Sequence, residues 1–200
     1  AEEIKKGRSY ISDGSSHIID FSVNGQEMGV KDSKLSLAGP QQVKISARIS
    51  ANLPRRQDET GAYIAKKKLT DPPFWHAERA RIGNQQKLRV ELIVNGKPAD
   101  AVVIDADGGW KNIQFSYPIR QSSWVALRIF PSAHTNPVFV LVDDKPVLVK
   151  ESAEWCRKAV DQCWKMKEPR IREAERPAAL AAYDEARKVY DRMIREGGNR

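Results

Sequence analysis

The sequence predicts a mainly β fold, an antiparallel β-sandwich followed by a C-terminal α-helical hairpin. Short apolar runs with a period of two, separated by turn-forming residues, recur through residues 1–149. This spacing is typical of an all-β sandwich. After Lys150 the apolar residues recur with the 3.6-residue period of a helix. We therefore predict a sandwich domain at residues 1–149 and a helical appendage at residues 150–200.

Residues 122–149 form the centre of the predicted sandwich. In the first strand of this stretch, Val125, Leu127 and Ile129 point to one face. The opposite face carries bulkier and more polar side chains, namely Trp124, Ala126, Arg128 and Phe130. We therefore expect both faces to be covered, with the helical hairpin packed against the second. Another strand follows, and a short third strand is predicted after the Asp143-Asp144 turn.

The earlier strands are predicted from alternation and from turn residues. Residues 17–23 and 88–94 each end in a valine that is followed by Asn-Gly, and Asn-Gly is a strong hairpin signal. Residues 43–51 alternate strictly between apolar and polar side chains. Two further strands, at 101–105 and 110–117, flank a predicted hairpin turn at 107–109. About eight or nine strands of this kind predict an immunoglobulin-like sandwich.

Two segments interrupt the strand pattern. Residues 54–73 are polar and end in Asp71-Pro72-Pro73, so we predict a mobile loop there, with a functional loop as the alternative. Residues 2–6 look like the last turn of a helix that stops at Gly7. A chain that begins on such a turn leads us to expect further structure upstream.

Two amphipathic helices are predicted in the appendage. Ser152 is predicted to cap the first, which ends at Glu168-Pro169. The second has Pro177 in its first turn and Gly197-Gly198 past its end. The apolar face of the first helix consists of Cys156, Ala159, Val160, Cys163 and Trp164.

Composition excludes several classes of protein. The net charge of +8 is spread thinly, since residues 1–149 hold 21 basic and 16 acidic side chains and residues 150–200 hold 13 and 10. The one basic cluster, Lys66-Lys67-Lys68, has no interleaved aromatic residues, so we predict no nucleic-acid partner. No apolar run approaches the roughly 20 residues of a membrane span, so no membrane partner is predicted either.

No catalytic or metal-binding constellation stands out. Cys156 and Cys163 lie seven residues apart, about 10 Å along one helix, which is too far for a disulfide between them. His17, His76 and His134 occur in separate segments without metal-ligand spacing. Serine-nucleophile and phosphate-loop motifs are missing as well. We predict no catalytic residues, no metal, no cofactor and no enzymatic activity for this chain alone; a small metalloenzyme built from the three histidines is the least favoured hypothesis.

Three polar clusters supply candidate interface or ligand contacts. Residues 74–79 place an aromatic pair beside His76 and could form a sugar-stacking or ligand-binding patch. The alternative is a structural role, a strand edge whose Trp75 completes the core. Residues 134–137 form either a site loop or a turn whose side chains cap the backbone. The third cluster, Arg8, Asp13 and Ser15, could form an interface, and a local Asx turn explains Asp13 equally well. The candidate contacts are Arg8, Asp13, His17, Trp75, His76, Arg128 and His134.

Several long motifs resemble one known family. The segments GRSYISDG from Gly7, WHAERARIG from Trp75 and SSWVALRIFPSAHTNPVFVLV from Ser122 are similar to the C-terminal region of CehA/McbA-type metallohydrolases of the PHP superfamily. The helical segments EWCRKAVDQCW and AAYDEARKVYDRMI resemble the end of large secreted members. The resemblance implies a secreted or periplasmic location. It also implies an upstream catalytic domain that carries the metal ligands, none of which transfers to this sequence.

Together these observations predict a non-catalytic accessory module that docks on a PHP-type metallohydrolase domain. The alternative is a secreted carbohydrate-binding module, because Trp75, Trp110 and Trp124 could offer faces for sugar stacking.

Overall fold

The computed structural model describes residues 2–197, and the chain divides into two compact units, Ala1–Val147 and Leu148–Arg200. The first unit is mainly β and contains two sheets, and the second contains a pair of helices. The predicted fold class, a β-sandwich with a C-terminal helical hairpin, is therefore confirmed.

The described residues of the first unit contain eleven strands, more than the sequence predicted. In chain order they are β1 Tyr10–Ser12, β2 Ser16–Val23, β3 Gln26–Glu27, β4 Lys34–Leu37, β5 Gln41–Ala51, β6 Lys87–Val94, β7 Lys97–Asp105, β8 Lys111–Ile119, β9 Ser123–Ile129, β10 Ala133–Thr135 and β11 Val138–Val142.

The four-stranded sheet has the order β3-β2-β5-β8 and is antiparallel throughout. β5 alternates between buried and exposed side chains along most of its length, as the sequence predicted. β2 and β3 are joined by Asn24 and Gly25, which both have positive φ, at 47° and 79°. Positive φ at both positions is the signature of a type I′ hairpin turn, so this predicted hairpin is confirmed.

The seven-stranded sheet is built around β9, which pairs with β6 on one side and with β10 and β11 on the other. Its edges are β1, β7 and β4, and the β4–β11 pair is parallel while the other pairs are antiparallel. Val125, Leu127 and Ile129 on β9 are fully buried. They belong to the same core as Ile45 and Ile49 of β5, so the core lies between the two sheets.

Two details of the predicted strand order are wrong. Asp143 and Asp144 do form a turn, both with positive φ, but no strand follows it before the helices. Residues 107–109 do not close a hairpin, because β7 belongs to the seven-stranded sheet and β8 to the four-stranded one. This turn instead carries the chain from one sheet to the other.

The prediction of an irregular loop at residues 54–73 is also wrong in part, because α2 occupies Glu59–Lys66. Asp58 caps α2 by accepting a hydrogen bond from the amide of Gly61. The segment after α2 is tied down by Arg79, whose guanidinium donates to the carbonyls of Lys68, Asp71 and Pro73. A short helix and these bonds therefore give the segment a defined conformation.

The remaining helices are α1 Glu2–Lys5 in the first unit and α3 Lys150–Lys167 and α4 Arg176–Gly197 in the second. Gly7 follows α1 with a φ of +76°, as a C-terminal glycine cap requires. The predicted cap at Ser152 is wrong, since α3 begins two residues earlier after Val149 and has no side-chain cap. Pro177 lies in the first turn of α4 as predicted. The prediction that Gly197 lies past the end of the helix is wrong, because α4 includes it, and Gly198 lies outside the described residues. Within residues 2–197, none of these helices combines the length and the apolarity that crossing a bilayer demands.

Candidate functional site

A groove of about 460 Å³ lies on the face of the seven-stranded sheet that points away from the core. We call it the sheet groove. Its lining includes Ile93, Trp124, Ala126, Arg128, His134 and Phe139. Alternation explains why these residues meet, because the residues of β9 that do not enter the core must face outward. The groove is therefore built on the polar and aromatic face that the sequence predicted for this strand.

Strand register sorts the groove into an apolar end and a polar end. Trp124 lies opposite Phe139 on β11, and Ala126 lies opposite Ile93 on β6. Arg128 lies between its cross-strand partners His134 and Glu91. Cross-strand neighbours have side chains in contact range, so the apolar residues form one continuous surface beside the charged ones.

The charge of Arg128 is neutralised by Glu91 on the neighbouring strand β6. Its guanidinium donates to Glu91 Oε2 at 2.7 Å from Nη2 and at 2.9 Å from Nε. Its carbon Cζ also lies 5.6 Å from the ring centroid of Phe130, within cation–π range. Arg128 therefore positions neighbouring groups and offers little free charge to a ligand.

The other polar groups of the groove are also engaged. Asn136 donates from Nδ2 to the carbonyl of Gly7 at 3.1 Å and to Ser9 Oγ at 2.9 Å. His134 is exposed, and its Nδ1 lies 3.3 Å from the carbonyl of Thr135. For Asn136 the alternative prediction of a capping side chain is thus confirmed. What the groove offers a partner is mainly shape and apolar contact.

Exposed apolar side chains lie both in the groove and beside it. Ile11 on β1 lies opposite His134 and is 63% exposed. Phe130 and Phe139 are 43% and 37% exposed. Apolar groups that collect on one face, rather than scattering singly, mark an interaction surface.

Asp13 joins three separate segments of the first unit. Its carboxylate accepts hydrogen bonds from Ser15 N at 2.8 Å, from Ser132 Oγ at 2.6 Å and from Ala77 N at 2.9 Å. The first of these bonds is the predicted Asx turn. Because Ala77 directly follows His76, Asp13 also fixes the start of that segment. All three contacts are internal, which gives Asp13 a structural role.

The two remaining histidines make local contacts. His17 Nδ1 lies 2.9 Å from the hydroxyl of Tyr10, and the two rings meet edge to face. His76 accepts from the amide of Glu78 at 3.2 Å and so caps the short 3-10 turn at Ala77–Ala80. In residues 2–197 no group of three or more histidine, cysteine, aspartate or glutamate side chains is arranged to hold a metal ion.

Arg8 and Trp75 lie away from the sheet groove lining. Arg8 is exposed and pairs with Glu27 at 3.3 Å. Trp75 is 52% exposed and packs edge to face on Phe74 with 4.7 Å between ring centroids. The alternative in which Trp75 completes the core is therefore wrong. Of the seven candidate residues, only Arg128 and His134 line the sheet groove.

The three tryptophans do not share one surface. Trp124 lines the groove of the seven-stranded sheet. Trp110 is 50% exposed and stacks with Arg48, which is on the outward face of the four-stranded sheet, at 5.3 Å. A single three-tryptophan platform is therefore not formed.

Two residues that complete the groove, Ile93 and Phe139, are not among the predicted contacts, and neither is Glu91, the partner of Arg128. Phe139 was detectable, because it alternates with the buried Val138 and Val140 and must face outward. The other two could be assigned only with the β6–β9 register in hand.

No known family model matches this chain, and a search of curated proteins finds no match either.

Proposed function

We propose that this chain is a non-catalytic interaction module that binds a PHP-type metallohydrolase domain through the sheet groove. The observation that carries the proposal is the apolar end of the groove, where Trp124 and Phe139 face away from the core. Protein interfaces favour such aromatic anchors and arginine, and they disfavour free charge at their centre. Arg128, already paired with Glu91, fits that preference.

The identity of the partner rests on the resemblance to the C-terminal region of CehA/McbA-type metallohydrolases. In that family the metal site belongs to a separate upstream domain, so a neighbouring non-catalytic sandwich would act by docking and by shaping access to the substrate. A secreted or periplasmic location rests on the same resemblance. Glycan binding is the alternative function, supported by the accessible indole rings of Trp75 and Trp110.

The first test is to sequence the coding region immediately upstream of Ala1 and to produce any PHP-type domain found there as a separate protein. Binding to the present chain is then measured by isothermal titration calorimetry. We expect Phe139→Ser to weaken binding by about 2 kcal/mol or more, roughly 30-fold, as loss of an aromatic anchor does. Val103→Ser is the matched control, since Val103 is a 59% exposed apolar residue of the same sheet outside the groove.

Four outcomes would contradict the proposal. The upstream region could encode no PHP-type domain, or Phe139→Ser could bind as tightly as the Val103→Ser control. The purified chain alone could hydrolyse phosphoesters with added Mn²⁺ or Zn²⁺, which would make it an enzyme. Saturable quenching of tryptophan fluorescence by glycans, without binding to the PHP-type domain, would support the carbohydrate-binding alternative.

A further inference from the structure

The helical unit is held together by polar contacts along the seam between its two helices. Arg157 of α3 pairs with Asp191 of α4 at 3.0 Å, and Arg187 of α4 pairs with Asp161 of α3 at 2.8 Å. Trp164 and Tyr183 add an aromatic contact with 5.0 Å between ring centroids. These contacts fix the antiparallel arrangement of the two helices.

One face of the hairpin is apolar and is not covered by anything within the helical unit. A groove of about 360 Å³ runs along it, lined by small side chains that include Cys156, Ala159, Cys163, Ala182 and Ala186. We call this surface the hairpin face. Over Arg176–Gly197 no residue is buried, and over Lys150–Lys167 only Ala153 is buried. Amphipathic helices gain most of their stability from burying such a face, so this one lacks the packing that its sequence pattern calls for.

The hairpin face carries no charge. The eight side chains that line it are cysteine, alanine, valine and tyrosine. Tyr183 is neutral at physiological pH, as an ordinary phenol is, and its hydrogen bond with Cys163 Sγ at 3.1 Å raises the pKa of Tyr183 further. Five charged side chains of the two helices are held in the ion pairs of the seam, namely Arg157, Asp161, Asp184, Arg187 and Asp191. An uncharged surface can meet its own copy, whereas a charged one would meet like charge.

We propose that the hairpin face is the contact surface of a homodimer, in which two hairpins complete a four-helix bundle. A two-fold axis would bring the same surface of each copy together, the commonest arrangement of soluble oligomers. Ala159, Ala182 and Ala186 let the helix axes approach closely, and the tyrosine rings fill the remaining space. Such bundles pack their helices at shallow crossing angles around an apolar interior of this kind.

The available area is sufficient for a specific dimer. The 18 residues of α3 span roughly 27 Å, and two neighbouring helices present a face roughly 20 Å wide. Contact between two such faces removes roughly 1,000–1,200 Å² of surface in total. Specific interfaces begin at about 1,000 Å². The two helices are therefore long enough for a second copy to bury the area that a specific dimer needs.

The test is sedimentation equilibrium of the full chain over a broad range of protein concentrations. We expect the unchanged chain to dimerise and Ala186→Glu to raise the dimer dissociation constant at least about 100-fold, because each copy would bury an unpaired carboxylate. Ala186→Lys should have the same effect. Ala181→Glu is the matched control, since Ala181 is an exposed alanine of the same helix outside the hairpin face, and it should leave dimerisation unchanged.

Circular dichroism at 222 nm verifies that each variant keeps its helices. Hydrogen exchange gives a second measurement, in which the amides of α3 and α4 should exchange more slowly as the protein concentration rises. A chain that stays monomeric at high concentration would overturn the proposal, and so would a dimer that tolerates Ala186→Glu. Neither result bears on the sheet groove, which lies in the other unit.

Discussion

Glu78 and Arg81 form an ion pair in the interior of the first unit, with their side chains 5% and 0% exposed. Arg81 Nη1 lies 3.0 Å from Glu78 Oε1, and the guanidinium also donates to the carbonyls of Gln85 and Pro54. Gln57 Nε2 donates to the second carboxylate oxygen at 3.0 Å. The pair thereby joins the segments on both sides of α2. Together these hydrogen bonds compensate for the hydration that the two charges lose on burial.

Removing one member of this pair should strongly destabilise the protein. We expect Glu78→Ala to lower the free energy of unfolding by about 3–5 kcal/mol, because Arg81 would be left buried without a counter-charge. Glu27→Ala, which breaks the exposed pair with Arg8, is the control and should cost less than about 1 kcal/mol. Urea unfolding of the full chain measures both.

A double variant separates the charge effect from simple loss of packing. Glu78→Leu combined with Arg81→Met removes both charges while keeping the volume, so it should be less destabilising than Glu78→Ala. Equal losses for the single and the double variant would show that the ion pair contributes through shape alone.

At the scale of elements, two arginines in the seam of the helical hairpin share one carboxylate. Asp161 lies 2.8 Å from Arg187 and 2.5 Å from Arg157. Hydrogen bonds first from Arg187 and then from Arg157 hold the pKa of Asp161 below its ordinary value. Because the folded state binds the proton of Asp161 less readily than the unfolded chain does, protonation favours unfolding.

The hairpin should therefore lose stability in acid. The contribution of Asp161 is complete above the unfolded-state pKa of about 3.9 and disappears as the pH falls through the lower pKa of the folded state. Asp161→Asn should be less stable than the unchanged chain near neutral pH, and the two should converge in strong acid. Thermal unfolding followed at 222 nm as a function of pH measures this, with Glu185→Gln, an exposed position of α4, as the control. A difference that persists unchanged in acid would contradict the prediction.

The elements differ in how far sequence could predict them. β5 and β9 carry long alternating patterns, and α3 and α4 carry a clear helical period, so local pattern is enough. β1 and β10 have three residues each, too few to show any period. α2 has only Gly61 and Ile64 buried, so its amphipathic signal is weak, and its cap at Asp58 becomes evident only from the hydrogen bond.

The candidate site was only partly predictable for a related reason. Sequence places Trp124 and Arg128 on the outward face of β9, because alternation alone decides that. The groove also needs Phe139 and Ile93, which come from two other strands, and their positions follow from pairing registers. A register is set by loops and by the whole core, and no local pattern encodes it.

For the whole molecule, the excess of positive charge raises the question of nucleic-acid binding. Many basic side chains are paired, including Arg48 with Asp20 and Lys111 with Asp107. Within the basic cluster at residues 66–68, Lys67 lies over the ring of Tyr63 and donates to the carbonyl of Pro72. Along the sequence the net charge of +8 is spread over both units, with 21 basic and 16 acidic side chains in residues 1–149 and 13 and 10 in residues 150–200.

This distribution predicts weak and nonspecific binding to nucleic acid. Fluorescence anisotropy with a labelled DNA duplex should show little binding at physiological salt, with no preference between sequences, because few phosphates can be contacted at once. Tight, sequence-selective binding that survives physiological salt would contradict the prediction of no nucleic-acid partner.

The parallel pairing of β4 with β11 has a consequence for biosynthesis. It aligns Leu37 with Val142, and β1 likewise pairs with β10. Strands near the start of the sandwich therefore find their pairing partners only near its end. A nascent chain leaving the ribosome cannot close its larger sheet until Val142 has emerged, and non-local closure of this kind is slow. During that interval β4 has no neighbour, and chaperones that shield exposed strand edges would find their substrate there.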